Sequence, residues 1–392
     1  MDRPNDTLTP ETAPWLNDPG VHAVCRAISA DGAAIFFVGG CVRNAILGLP
    51  DSDIDMATPV RPQEVMRLAK AAGLEAVPTG IDHGTVTVVV DGAGFEVTTF
   101  RKDVQTDGRR AVVSYSDRIE DDARRRDFTL NALYARPDGH IIDPLGGMAD
   151  LRARRIKFIE NAEARIREDY LRILRFFRFS AWYADASDGF DETTLNAISR
   201  TAEGISQLSA ERVGAEMAKL LGAPDPGPAL AAMRTTGVLA EVLPGSDDTL
   251  LGPVVYLESQ IGASPDWRLR LAALGGLDAQ SRLRLSRADA RQLERLTEAA
   301  YSATPLAEIA YRHGAIVAKQ AAVLRAALAN TPLIPEDVAH LDVAAQAQFP
   351  VVARDLMPLF EGAALGAELA RLEARWIASG FALSRADLLN GR

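Results

Sequence analysis

The sequence predicts an α+β protein: a head that mixes short strands with helices, then a long body of helices alone. Two observations carry this. Up to about residue 155, short β-branched and aromatic runs alternate with helical patterns between Gly- and Pro-containing turns. From about residue 160 the apolar residues fall only at helical spacing, in Ala- and Leu-rich stretches. The 392 residues leave room for two to four domains at roughly 100–200 residues each.

In chain order, residues 34–38 (AIFFV) form an apolar run ending at Gly39-Gly40, read as a buried strand and a tight turn. Residues 41–48 suit a helix closed by Gly48, and residues 53–57 (DIDMA) alternate like a half-buried strand. Pro62 to Ala72 reads as a helix with Pro in its first turn and Gly73 just past its end. Residues 84–90 (GTVTVVV) and 95–100 (FEVTTF) flank Asp91-Gly92-Ala93-Gly94, which makes a hairpin. The polar stretch 103–117, with Gly108, is expected to be a mobile loop, and residues 140–143 (HIID) give one more strand. Helices are expected over 163–183, 210–221, 229–242, 266–275, 285–302, 305–329, 336–347 and 361–378. No repeat of fixed period is visible.

Composition narrows the function. Hydrophobic residues make up 47% and charged residues 24%, ordinary for a globular chain. No apolar run approaches the roughly 20 residues of a spanning helix. The first 20 residues lack a basic start followed by an apolar stretch, so no secretory leader is expected. Two cysteines, Cys25 and Cys41, exclude a disulfide framework and a Cys-based zinc site; a reducing cytoplasm is the expected setting. The net charge of −10 argues against general coating of nucleic acid. Between Leu151 and Arg178, however, nine Lys or Arg face four Asp or Glu, a local basic seam suited to focused phosphate contact.

The candidate chemistry starts at Asp53 and Asp55. On a strand, residues two apart project from one face, so both carboxylates can reach one spot. Two hard oxygen ligands without His or Cys suit Mg²⁺ better than zinc. A lone Asp-x-Asp is more often a solvated edge. Here it follows a strand, a Gly39-Gly40 turn opening a helix, and Arg43, a layout for a metal-bound triphosphate. Asp51 is a further nearby acid, but it precedes the alternation. Glu96, flanked by Phe95 and Val97 that would face the other way, is a candidate third carboxylate or simply an exposed strand residue. His83 is read as orienting a strand start rather than as a base. Asp127 and Asn131, four apart, can share one helical face and bond a ribose, or merely cap a helix. Asp169, Arg172, Arg175 and Arg178 recur every three residues, a slowly winding line on a helix. An acceptor and a donor on adjacent turns can imitate the Watson–Crick edge of a base that carries an amino group. The plain alternative is a surface ion pair.

These residues carry a resemblance. Gly39-Gly40-Cys41-Val42-Arg43 followed by Asp53-Ile54-Asp55 resembles the head of the bacterial-type CCA-adding tRNA nucleotidyltransferase/poly(A) polymerase family, a branch of the DNA polymerase beta superfamily. Arg125-Arg126-Asp127-Phe128-Thr129-Leu130-Asn131-Ala132, Asp143-Pro144-Leu145-Gly146-Gly147, Glu168-Asp169-Tyr170-Leu171-Arg172 and Ser209-Ala210-Glu211-Arg212 resemble its later motifs in order. Asn44 stands where the family usually has Asp. The resemblance implies a nucleotidyltransferase head with a mixed five-stranded sheet over 1–155, a base-selecting helical neck over 156–222, and a helical body and tail over 223–392 that bind tRNA. It implies catalysis through Asp53 and Asp55 with Mg²⁺ on the pair; Glu96, read from its own strand position, is the candidate third catalytic carboxylate. Nucleotide contacts would come from Gly39, Gly40, Arg43, Arg126, Asp127, Asn131, Asp169, Arg172, Arg175 and Arg178. The implied activity is addition or repair of the CCA end at the tRNA 3′ end, from CTP and ATP. A bacterial poly(A) polymerase, an A-only or CC-only enzyme, and a noncatalytic tRNA-binding protein remain alternatives at this point.

Overall fold

The structure is a computed structural model that describes residues 7–50, 53–107, 110–357 and 359–390. Asp51 and Gly108 therefore lie outside the described residues. The chain divides into two compact units, Met1–Ser209 with Pro228–Val242, and Ala210–Gly227 with Leu243–Arg392. The division falls inside the segment 156–222.

In the first unit, strands β1 (Phe36–Val38), β2 (Asp55–Thr58), β3 (Glu75–Gly80), β4 (Thr85–Val90), β5 (Ala93–Thr99), β8 (Tyr134–Ala135) and β9 (Ile141–Ile142) form one sheet. Its order is β3-β4-β5-β2-β1-β8-β9. Only β2 and β5 run parallel, so the sheet is mixed, with seven strands where five were expected. The extra strands are short or polar: Glu75–Gly80 buries nothing fully, and the last two have two residues each. Helices α1 (Pro19–Ile28) and α3 (Pro62–Ala71) pack on the β4 side, with Val65, Leu68 and Ala69 buried along one face of α3. Helix α2 (Gly40–Leu47) starts where β1 ends. Gly39 has φ +75, a conformation costly for any residue with a Cβ, and Gly48 closes the helix at φ +65.

The stretch 103–117 is not a loop. Strands β6 (Arg101–Asp107) and β7 (Arg110–Tyr115) form a separate two-stranded ribbon. Cross-strand backbone bonds hold such a ribbon, and they leave no periodic signature in the sequence. The helix expected over 163–183 is two helices, which join the first unit with α4 (Ile119–Arg124) and α5 (Gly147–Arg152): α6 (Ala162–Glu168) and α7 (Leu171–Tyr183). Asp169 is extended, and its carboxylate accepts from Leu171 N at 3.1 Å, so the side chain starts a second helix instead of continuing the first. Two further expected helices break at glycines of positive φ, Gly237 and Gly314.

The second unit is helical. Leu257, Leu269, Leu296 and Leu324 centre one core, and Trp376 with Leu356 and Leu372 a second. Arg270, 1% exposed, donates to Glu258 at 2.9 Å and to the Leu221 carbonyl at 2.7 Å, so its buried charge is fully paired.

Candidate active site

The sheet brings Asp55 and Glu96 together. They are partners in the parallel register of β2 and β5, while Val97 next to Glu96 is buried. Asp53 lies just ahead of β2 rather than on it, and all three carboxylates reach solvent. Crowding by surrounding protein, then the Glu96 and Asp53 charges, push the Asp55 carboxyl up to about 6, against the opposing Arg126. Among the described residues no three His, Cys, Asp or Glu side chains form a group that could hold a metal ion. The Asp53–Asp55 pair nevertheless suits a hard divalent cation: the donors are carboxylate oxygens, and a cation would relieve the repulsion that raises Asp55.

Beside it, Arg126 is held by a buried carboxylate. Asp122, 0% exposed, accepts from Arg126 Nη2 at 3.0 Å, Arg125 Nε at 2.7 Å and the Tyr134 hydroxyl at 2.7 Å. Burial pushes the Asp122 carboxyl up, but the two arginines and the tyrosine outweigh it and hold it well below the usual carboxylate range. The turn at Gly39 passes close by: a Cβ there would sit 3.6 Å from Arg126 Nη1.

Asp127 and Asn131 also meet, though across a 3₁₀ turn (Thr129–Asn131) rather than along an α-helix. Asp127 accepts from Asn131 Nδ2 at 2.9 Å, from Phe128 N at 2.9 Å and from Arg175 Nε at 2.7 Å. Burial alone would raise its carboxyl, but Arg175 and Asn131 bring it down to about 2. Asn131 Oδ1 in turn accepts from Arg43 Nη1 at 2.6 Å. Arg43 is 6% exposed and also donates to Asn44 Oδ1 at 2.9 Å and the Tyr183 hydroxyl at 2.8 Å. Its guanidinium is thus committed to protein partners, which a phosphate would have to share. Asn44 is structural here, donating to the Pro50 carbonyl at 2.8 Å. Three guanidiniums surround one ring: Arg43, Arg175 and Arg178 lie 5.2, 5.3 and 4.5 Å from the Phe179 centroid.

Asp169 and Arg172 do not share one helix, because the chain breaks between α6 and α7. Arg172 lies in the first turn of the second helix and donates to Glu168, to the Arg165 carbonyl at 2.7 Å and to the Arg125 carbonyl at 3.2 Å. Arg165, 6% exposed, donates to Glu168 and to the carbonyls of Arg125 and Arg126. Sequence reasoning missed Asp122, Tyr134, Arg165, Phe179 and Tyr183. Only Asp122 left a trace, at helical spacing of three and four before Arg125 and Arg126. The rest are packed by tertiary contacts that no spacing encodes.

Such a mixed-sheet head with a Gly turn, an acidic edge and an arginine-lined helical extension defines a class of protein: a polymerase-type head carrying helical domains. Residues 35–157 match the family model of the Poly A polymerase head domain, and residues 189–250 match the probable RNA and SrmB-binding site of polymerase A. The CCA-adding enzyme of Geobacillus thermodenitrificans is 36% identical over 269 residues, covering 67% of this chain and 64% of that protein. The mitochondrial CCA tRNA nucleotidyltransferase 1 of Mus musculus is 37% identical over 203 residues, covering 52% of this chain and 47% of that protein. The match thus spans about half the length of the first curated relatives. Among solved structures, the Bacillus stearothermophilus CCA-adding enzyme in complex with CTP superposes with a TM-score of 0.71 at 27% identity, covering 92% of each chain. The Thermotoga maritima CCA-adding enzyme complexed with tRNA has the same fold, at a TM-score of 0.69 and 18% identity over 98% of this chain and 97% of that one. By these matches the chain carries the head and RNA-binding regions of the poly(A) polymerase family and is similar along most of its length to a CCA-adding enzyme.

Proposed function

We propose that the protein is a template-independent RNA nucleotidyltransferase that adds or repairs the 3′-terminal CCA of tRNA from CTP and ATP. The observation that carries this reading is the pairing of an acidic edge (Asp53, Asp55, with Glu96 in register) with an arginine cluster around Phe179. Carboxylates suit a metal and a reacting 3′-hydroxyl; arginines suit a triphosphate. Asp53 and Asp55 would hold Mg²⁺, which when bound supplies Lewis-acid activation and charge neutralisation. Arg175 and Arg178 bind phosphate, and Arg43 orders Asn131 and Tyr183 around them. Asp127 and Asn131 face the sugar. Asp169 accepts from the amino group common to cytosine and adenine, and Arg172 donates to the neighbouring ring atom. The helices over 223–392 bind the tRNA, with residues 1–155 as head and 156–222 as neck. Two buried, unpaired cysteines suit the cytoplasm that this reading assigns.

The test is incubation of tRNA lacking its end with each labelled nucleotide, singly and together, and Mg²⁺, followed by sizing of the product. Ordered addition of C, C and A is the expected result. A long A tract would make it a poly(A) polymerase, growth by A alone or CC alone a restricted enzyme, and no incorporation a noncatalytic RNA-binding protein.

A further inference from the structure

We infer that Asp122 and Tyr134 are positioning residues that aim one edge of the Arg126 guanidinium at the phosphates of the incoming nucleotide. The inference deepens the nucleotidyltransferase reading and rests on it. The geometry is asymmetric. Arg126 Nε lies 3.2 Å from the Tyr134 hydroxyl and 3.3 Å from Asp122, and Nη2 lies 3.0 Å from Asp122. One edge of the planar fork is therefore consumed by a carboxylate and a phenol, both fully buried. Nη1 donates to neither of these two groups. It points to the turn that opens α2, within 3.6 Å of where a Cβ on Gly39 would stand. The Gly39 N–H is taken by the Leu133 carbonyl at 3.2 Å, and the N–H groups that follow it at the start of α2 are a place for anionic oxygen. The Arg126 charge also acts on Asp55, so the same guanidinium borders the acidic edge and the anion turn.

A freely rotating arginine would lose much of its affinity to side-chain ordering. Here the ordering is already achieved before substrate arrives. Tyr134 packs edge-on to Phe36 and Phe100, at 6.5 and 6.3 Å between ring centroids, so its hydroxyl cannot swing away. A phosphate oxygen placed between Nη1 and the Gly39-Gly40 turn meets donors from both sides. Because all nucleoside triphosphates carry the same phosphates, this clamp acts equally on CTP and ATP and leaves base choice to the neck.

The test uses the full chain, with Asp122→Asn and Tyr134→Phe. Steady-state rates are measured for CTP, ATP and UTP on tRNA lacking its end, together with binding of inorganic pyrophosphate by calorimetry in Mg²⁺. Each variant is expected to raise the nucleotide KM about tenfold for CTP and ATP alike, to weaken pyrophosphate binding by a similar factor, and to leave the UTP-to-CTP preference unchanged. A merely structural role would lower the melting temperature and leave pyrophosphate binding and KM at wild-type values, and that result overturns the inference. If Asp122→Asn does not fold, Tyr134→Phe, which removes one oxygen, decides alone. If the wild-type protein incorporates nothing, the nucleotidyltransferase reading fails. Pyrophosphate binding then still decides this one, since equal affinity in wild type and Tyr134→Phe overturns it and a tenfold loss supports it.

Discussion

Two groups of carboxylates in the same unit are treated in opposite ways. Asp55, the first residue of β2, stands in register with Glu96 in the middle of β5, with Asp53 just ahead of it; all three are exposed, and Asp55 is pushed up to about 6 by crowding and like charge. Asp122 and Asp127 are 0% and 7% exposed, more deeply buried, yet each is held strongly acidic because arginines and hydroxyl or amide donors surround it. Burial alone does not decide how a carboxylate titrates; the partners do. The first group stores repulsion that a bound cation would discharge. The second has its charge already matched and serves to hold arginines still.

Removing one member of each group should therefore give opposite results. Asp53→Ala or Asp55→Ala should abolish nucleotide incorporation while leaving the melting temperature unchanged or raised, because repulsion is relieved. Retention of more than about a tenth of the wild-type rate, a loss below roughly 1.4 kcal/mol, would remove the metal assignment. Asp127→Ala strips the partner from Arg175 and should destabilise the fold by about 3 kcal/mol, read from denaturant midpoints at constant slope. A change under about 0.5 kcal/mol would mean that the pair is no better than a surface one.

Acid sharpens the contrast without mutation. Asp127 has a folded value of about 2, below an unfolded value of about 3.9, so its stabilisation is present above about pH 4 and lost as pH falls toward 2. The share from this one group is about 2–3 kcal/mol, and Asp127→Asn should flatten that part of the stability–pH curve. Asp55 runs the other way: its protonation as pH falls through about 6 removes repulsion, so stabilisation by added Mg²⁺ should fade below that pH. The smallest effect is on selectivity. Asp169→Ala should narrow the preference for CTP and ATP over UTP by about 1–2 kcal/mol, with Mg²⁺ binding intact. Unchanged nucleotide ratios would dismiss base reading by Asp169.

The head's strands were legible where apolar runs met glycine, as at Phe36–Val38 before Gly39, and where β-branched residues alternated, as in Thr85–Val90. The carboxylate pair and the Gly turn were legible because sequence neighbours supply them. The ribbon of Arg101–Asp107 and Arg110–Tyr115 was not, since backbone pairing between strands leaves no period to read. The break at Asp169 was hidden for a different reason. Helical spacing continues through it, and only the bond from Leu171 N to the Asp169 carboxylate ends one helix and begins the next. The Asp122–Tyr134 hold on Arg126 spans twelve residues and two elements, so no local pattern announces it.

The grip of Arg165 and Arg172 on the 125–126 segment has a consequence for how this site can change. Arg165 holds the main-chain carbonyls of Arg125 and Arg126, and Arg172 holds that of Arg125; neither holds their side chains. A carbonyl survives every substitution at its own position. Replacing Arg126 removes a guanidinium and leaves the anchor of α6 and α7 in place. The side chain at position 126 is thereby uncoupled from the joint beneath it, though not from the buried Asp122, which would lose one of its two arginines.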